Sequence, residues 1–219
     1  MGLLSYKNKT SLKNRILNNA KFNKVIFYLT FSDIFNWGAI DVINSLVGIF
    51  IAEKFGDSAI EYVGIGFAII NITKASLQIP IGLLVDKIAG NKDEIVFLIF
   101  GSIFIGIPFL LYPLITTKYQ FFILQACIGV GMSLNLISWR KLFALNLDKG
   151  NEGIEYGVYD TIYSISVALL SFIAGMVAGI NNTFFNTTVV TFGIIVILSS
   201  LWAILIAKEL KKHSINHKL

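Results

Sequence analysis

Two ionisable residues of opposite charge, Asp41 and Lys74, interrupt long apolar runs in the first third of the chain. A charge at the centre of a bilayer costs about 2.5–3.5 kcal/mol on insertion scales, so such residues usually pair with one another or line a wet cavity. We therefore predict that Asp41 and Lys74 face each other across a cavity between the first two helices. The alternative is an ion pair that only fixes helix packing.

Both charges lie on polar stripes of their predicted helices. At 100° per residue, the stripe of the first helix lies within an arc of about 80° and comprises Thr30, Asp33, Trp37, Asp41, Asn44 and Gly48. The stripe of the second helix is equally narrow and comprises Gly64, Phe67, Asn71, Lys74, Gln78 and Gly82. A later helix adds Gln125 and, at the edge of its polar face, Asn135. Asp33 and Asp160 lie nearer the inner ends of their helices, where each is either a solvated end-of-helix residue or a further cavity residue. The predicted cavity residues are Trp37, Asp41, Asn44, Asn71, Lys74, Gln78, Gln125 and Asn135.

The composition indicates which elements position these residues. Of the 219 residues, 55% are hydrophobic and 14% are charged, with a mean hydropathy of +0.73. A soluble domain of this length is too small to bury so much apolar surface. A helix needs about 20 mostly apolar residues to cross a bilayer. The sequence therefore predicts an all-α membrane protein with six transmembrane helices, at 25–52, 60–85, 95–114, 119–142, 156–180 and 185–207.

The distribution of basic residues predicts the orientation. With the N-terminus inside, fifteen of the eighteen Lys and Arg residues fall on the inner side, whereas Lys54 and Lys118 fall outside. Cytoplasmic loops carry such an excess. We predict a basic cytoplasmic segment at 1–24, a single transmembrane domain at 25–207 and a basic cytoplasmic tail at 208–219. The expected location is the cell membrane, with both termini in the cytoplasm.

Polarity also differs between the predicted helices. The third and sixth spans contain no charged residue, whereas the first, second, fourth and fifth carry the polar side chains. We predict that the third and sixth helices are peripheral and face lipid, and that the other four line the interior. This pattern fits two three-helix repeats, a common plan in transporters.

Several other classes of protein are not supported. Cys127 is the single cysteine, and His213 and His217 lie in the basic tail, so no Cys/His cluster predicts a metal site. The net charge of +5 is spread over helix ends, without the basic stripe that binds nucleic acid. The sequence contains no recognisable nucleophile–base pair that would indicate an enzyme. We predict no cofactor, no metal and no nucleic-acid partner.

The stretch that joins the second and third predicted spans carries a recognisable motif. It reads GLLVDKIAGNK from Gly82 to Lys92, and it resembles the loop G-x-x-x-D-[RK]-x-G-[RK]-[RK] of the major facilitator superfamily. Gly82, Asp86 and Lys87 match in register, whereas Gly90 stands one residue late. The position also agrees, because the family carries this loop on the cytoplasmic side after its second span.

The resemblance covers one six-helix, amino-terminal half of that superfamily. It implies that Asp86 and Arg140 are partners in a latch that closes the cytoplasmic side. It further implies secondary transport of a small solute by alternating access, with this half pairing either with a second copy or with another half of the same type. The alternative is a non-transporting membrane module that binds a partner. The identity of the solute is not predicted.

Overall fold

The computed structural model describes residues 23–87 and 92–216, with side chains as far as Lys212. Gly90, His217 and nearly all of the predicted N-terminal segment lie outside the described residues. Within them, every regular element is a helix, which confirms the predicted all-α class. The helices are α1 (Lys24–Phe55), α2 (Ala59–Lys87), α3 (Lys92–Leu111), α4 (Lys118–Asn146), α5 (Glu152–Ala178) and α6 (Asn182–Asn216).

Five helical segments in the described residues are long and apolar enough to cross a membrane. The first of them, Lys24–Lys87, is 64 residues long and contains both α1 and α2. A short 3₁₀ turn, Gly56–Ser58, separates these two helices. Gly56 has a φ of 58°, a conformation that glycine adopts without steric cost, and its N–H bonds to the carbonyl oxygen of Ala52.

The helices follow the predicted apolar runs but extend beyond several of them. α6 continues past the predicted end at residue 207 to Asn216. The added residues include Lys208, Glu209 and Leu210, which favour a helix, and no Gly or Pro stops the chain there. Hydropathy marks where an apolar run ends, whereas the helix ends only where backbone or capping signals intervene.

Among the described residues, the five most extensive helix–helix contacts keep the same pattern when the two halves of the chain are exchanged. α1 packs against α5 and α6, α4 packs against α2 and α3, and α3 packs against α6. Each three-helix unit thus places its first helix against the second and third helices of the other unit. This is the arrangement expected of two three-helix repeats.

Burial differs from what the polarity pattern predicts. α3 buries ten residues, whereas α5 buries only Ala174 and Ala178. α3 and α6 do expose apolar faces, for example at Phe100 and Leu198, as expected of peripheral helices. α2 and α5 expose apolar side chains as well, because each packs against neighbours on only part of its circumference.

Aromatic packing closes one end of the bundle. Phe50 of α1 stacks on Tyr112 and on Phe185, with ring centroids 5.7 Å apart in each case. At the same end, the Lys54 ammonium donates to the carbonyl oxygens of Pro113 (3.0 Å) and Ile115 (2.9 Å). These contacts tie α1 to the connection between α3 and α4 and to the start of α6. This is the end that the sequence predicts to lie outside.

α3 and α4 approach each other closely at two glycines. A β-carbon added at Gly101 would lie 2.8 Å from the backbone nitrogen of Asn135 and 2.9 Å from the carbonyl oxygen of Gly131. Gly131 faces the backbone of α3 in the same way, and a β-carbon added there would lie 2.9 Å from the backbone nitrogen of Ile105. Small residues allow such backbone contact between helices in a membrane.

We expect Gly101→Ala to destabilise the fold by about 1–3 kcal/mol, because the new methyl group overlaps backbone atoms that cannot rotate away. The measurement is the unfolding temperature of the purified protein in detergent. Gly175→Ala is the matched control on α5, where a β-carbon meets nothing within 4 Å. That variant should be as stable as the parent or more so, since Ala favours a helix over Gly. Equal losses in both variants would contradict the close α3–α4 contact.

Candidate functional site

A cavity of about 620 Å³ lies between four helices of the bundle. It lies towards the end that holds the α4–α5 connection, opposite the aromatic cluster of Phe50, Tyr112 and Phe185. α1, α2, α4 and α5 contribute its walls, and these are the four helices for which the sequence predicts an interior lining. The lining residues are Asp33, Trp37, Lys74, Leu136, Trp139, Arg140, Ala144, Tyr156, Tyr159, Asp160 and Tyr163.

Asp33 is the most deeply placed carboxylate of the cavity, with only 4% of the residue exposed. The Tyr159 hydroxyl of α5 donates a hydrogen bond to Oδ2 of Asp33. Tyr159 is itself held by aromatic neighbours, with its ring centroid 4.9 Å from that of Trp139 and 5.2 Å from that of Phe143. Trp139 is fixed in turn by a 3.0 Å bond from Nε1 to the carbonyl oxygen of Leu29. These contacts hold the Asp33 carboxylate against α5.

We expect Tyr159→Phe to lower the stability by about 1–3 kcal/mol, because it removes the donor from a buried carboxylate. Among the described residues, no other group donates to Asp33. Tyr156→Phe is the control, since Tyr156 lines the same cavity but its hydroxyl makes no hydrogen bond to a described residue. The readout is thermal unfolding of both variants in one detergent. A loss in Tyr156→Phe as large as that in Tyr159→Phe would contradict the assigned bond.

Trp37 and Asn135 form a second link across the cavity wall. The indole Nε1 of Trp37 donates to Oδ1 of Asn135 at 3.1 Å, and Asn135 is 1% exposed. Trp37 lines the cavity, whereas Asn135 lies behind it and orients the indole. The two residues therefore act together, with Asn135 in a supporting position.

Asp41 and Lys74 are predicted to face each other across a cavity, and the structure gives them different neighbours. No ion pair within 4.0 Å joins these two described residues. Asp41 instead accepts a 2.7 Å hydrogen bond from the Tyr163 hydroxyl of α5. Lys74 lines the cavity on the α2 side, whereas Asp41 lies outside the lining set. At this level the face of α1 that carries Asp41 is rotated towards α5, so that Asp41 lies next to Tyr163.

Four other predicted cavity residues do not line this cavity. Gln125 is 3% exposed and accepts a 2.8 Å bond from Tyr112, next to the aromatic cluster at the opposite end. Asn71 is exposed, and its amide donates to the carbonyl oxygen of Phe67 within α2. Asn44 and Gln78 are half-buried and lie outside the lining set.

The predicted cavity residues did not include the tyrosines of α5, which form most of the aromatic wall. Tyr156, Tyr159 and Tyr163 recur at a spacing of three and four residues, which places them on one face of α5 beside Asp160. Such tyrosines are also typical of the membrane interface or of helix packing. The proximity of Asp160 was the available signal that this face borders a polar cavity.

The signature loop has a different ion-pair partner from the one that the resemblance implies. Lys141 of α4, not Arg140, lies near Asp86, with 3.5 Å between Nζ and Oδ1. Lys141 also lies 2.9 Å from Oε1 of Glu94, whose side chain is fully buried, and donates to the carbonyl oxygen of Val85 at 2.5 Å. Adjacent residues of a helix point about 100° apart. Arg140 therefore turns into the cavity while Lys141 joins the ends of α2 and α3.

The remaining positions of the motif make fewer contacts. Lys87 and Lys92 are exposed and form no ion pair with a described residue. Gly82 is half-buried, and a β-carbon there would meet nothing within 4 Å. In the described part of the motif, Asp86 thus forms the ion pair, and the carbonyl oxygen of Val85 accepts a hydrogen bond from the same Lys141.

The fold and the cavity define a multi-pass helical membrane protein with a polar cavity among its helices. The sequence profile of the Major Facilitator Superfamily matches residues 26–218, and the chain belongs to this superfamily. Members of this superfamily are generally transporters rather than enzymes. No curated protein and no solved structure matches the chain.

Proposed function

We propose that the protein is a secondary transporter that moves a small solute across the cell membrane by alternating access. The observation that carries this proposal is the cavity of about 620 Å³, which holds ionisable side chains within apolar helices. Ligand pockets typically measure about 300–1,000 Å³. Ionisable residues within spans mark the pathways of substrates and ions. Lys74, Asp33 and Trp37 bind the solute, and no cofactor takes part.

The proposed topology has six spans, with both termini in the cytoplasm. Two observations support it. The inner side then carries fifteen Lys and Arg residues against two outside. The 64-residue segment Lys24–Lys87 contains two helices, each long enough to cross. The cavity then opens towards the cytoplasm, while Phe50, Tyr112 and Phe185 close the outer end.

A second half completes the solute pathway. α2 and α5 flank the cavity and are the least buried helices, with exposed apolar residues such as Ile79 (75%) and Phe172 (67%). A second copy of the chain, or another half of the same type, covers these faces in the proposal. Rocking of one half against the other then moves the cavity from one side of the membrane to the other.

The test is uptake into liposomes that contain the purified chain, with protein-free liposomes as the control. The panel comprises labelled amino acids, sugars, organic acids and amines. Native mass spectrometry in nanodiscs counts the protomers in the same preparation. Uptake by a dimer supports a transporter built from two copies. A folded chain that takes up no panel member, alone or with a co-purifying membrane protein, would contradict the proposal and favour the non-transporting module.

A further inference from the structure

The charged residues of the cavity are sorted by sign onto two walls. Lys74 comes from α2 and Arg140 from α4, and these two helices pack against each other. Asp33 comes from α1 and Asp160 from α5, which also pack against each other. One wall of the cavity is therefore positive and the facing wall is negative.

The charged residues of the two walls form no ion pair with each other within 4.0 Å. All thirteen Asp and Glu residues of the sequence lie within the described residues. Every ion pair within 4.0 Å that the described side chains form involves Lys141, which lies outside the cavity lining. Neither Lys74 nor Arg140 thus has a side-chain carboxylate within that distance. Opposite charges thus line one cavity without forming an ion pair within 4.0 Å, and Asp33 keeps its hydrogen bond from Tyr159.

The aromatic residues supply the rest of the recognition surface. Trp37, Tyr159 and Tyr163 line the same space as Asp33, and rings beside a carboxylate favour an organic cation through their negative faces. The same rings offer apolar contact to a hydrocarbon group. The wall of α1 and α5 thus suits an ammonium group, and the wall of α2 and α4 suits a carboxylate.

We propose that the solute is a zwitterion with one ammonium and one carboxylate group, as in an α-amino acid. Its carboxylate binds Lys74 and Arg140, and its ammonium binds Asp33 and Asp160. This inference rests on the proposed transport function and names the substrate class of the same cavity. A simple anion or cation would meet like charges on one wall, and a neutral solute would leave both walls without a partner.

Calorimetric titration of the purified full chain tests the charge requirement. The probes are α-amino acids with apolar side chains, each compared with the amine that lacks the carboxylate and the acid that lacks the amino group. One such set is phenylalanine, 2-phenylethylamine and 3-phenylpropionate. We expect at least one amino acid to bind at least tenfold more tightly than both of its analogues. An analogue that binds as tightly as its parent, or binding by none of the amino acids, would overturn the inference.

Variants separate recognition from folding. Lys74→Met should weaken binding of the amino acid about tenfold or more and leave binding of its amine analogue unchanged. Asp160→Asn should weaken binding of the amino acid and leave binding of the acid analogue unchanged. Asp160 is at an exposed position, which should tolerate the change. Lys211→Met and Asp57→Asn, at exposed positions outside the cavity, are the matched controls and should change neither. Equal weakening of all three probes in Lys74→Met and Asp160→Asn would contradict the assignment of the two walls.

Uptake measurements distinguish this inference from the transporter proposal. Transport of a singly charged or neutral solute in preference to amino acids would overturn the zwitterion and leave the transporter standing. Tight binding of an amino acid without transport of any solute would support the zwitterion site and contradict the transporter proposal.

Discussion

Lys74→Met should reduce solute uptake by roughly 10- to 100-fold while leaving the helical fold as stable as that of the parent or more stable. Lys74 lines the cavity, is half-buried and has no carboxylate within 4.0 Å. A hydrogen bond to a charged group contributes about 1.5–3 kcal/mol, which corresponds to this loss of binding. The folded protein loses little, because a lysine without a partner in a membrane span costs free energy that methionine does not.

Two measurements on one preparation check this expectation. The first is the rate of uptake of the solute found in the liposome panel, and the second is the unfolding temperature in detergent. Lys211→Met is the control for the loss of a positive charge at a distance from the cavity. A structural role for Lys74 would appear as a fall in the unfolding temperature. Undiminished uptake by Lys74→Met would remove this residue from the transport pathway.

The fold was largely predictable because a bilayer imposes a minimum length on each apolar run. That constraint predicted most of the helix ends to within a few residues of their positions in the structure. It failed at the C-terminal end of α6, which continues through Lys208 and Glu209 to Asn216. Charged residues interrupt an apolar run but favour a helix, so hydropathy and helix propensity disagree at this position.

The cavity was predictable only in part, because periodicity gives the direction of a side chain around its own helix axis. It does not give the rotation of one helix relative to the next. Trp37 and Lys74 were predicted as cavity residues and do line the cavity. Asp41 was assigned to Lys74, but its hydrogen-bond partner is Tyr163, which is 122 residues away in the sequence. A contact of that separation depends on how α1 packs against α5.

The ion pair at Asp86 illustrates the same limit over a distance of one residue. The resemblance implies Arg140 as the partner of Asp86, whereas the adjacent Lys141 forms the ion pair. Arg140 and Lys141 are adjacent, carry the same charge and are equally suitable by composition. Only the rotation of α4 in the folded bundle decides that Lys141 pairs with Asp86 and that Arg140 lines the cavity.

Lys141→Met should destabilise the folded protein by about 3 kcal/mol, the lower end of the range for removing one partner of a buried ion pair. Glu94 is fully buried and loses the ammonium 2.9 Å away, which leaves an uncompensated carboxylate between α2 and α3. The lower end applies because 25% of the Lys141 side chain is exposed, so water screens part of the interaction. Chemical unfolding in detergent, followed by circular dichroism, measures the loss.

Arg140→Met is the matched control, because it removes the same charge from the neighbouring position. We expect it to retain the stability of the parent and to weaken solute binding, whereas Lys141→Met should lose stability. Adding Glu94→Gln to Lys141→Met should restore part of the lost stability, since the buried group is then neutral. If both single variants lost stability equally, and Glu94→Gln restored none of it, the ion pair would not be what joins α2, α3 and α4. Opposite phenotypes at adjacent residues would instead show that the ion pairs of Lys141 and the cavity are separate features that share one turn of α4.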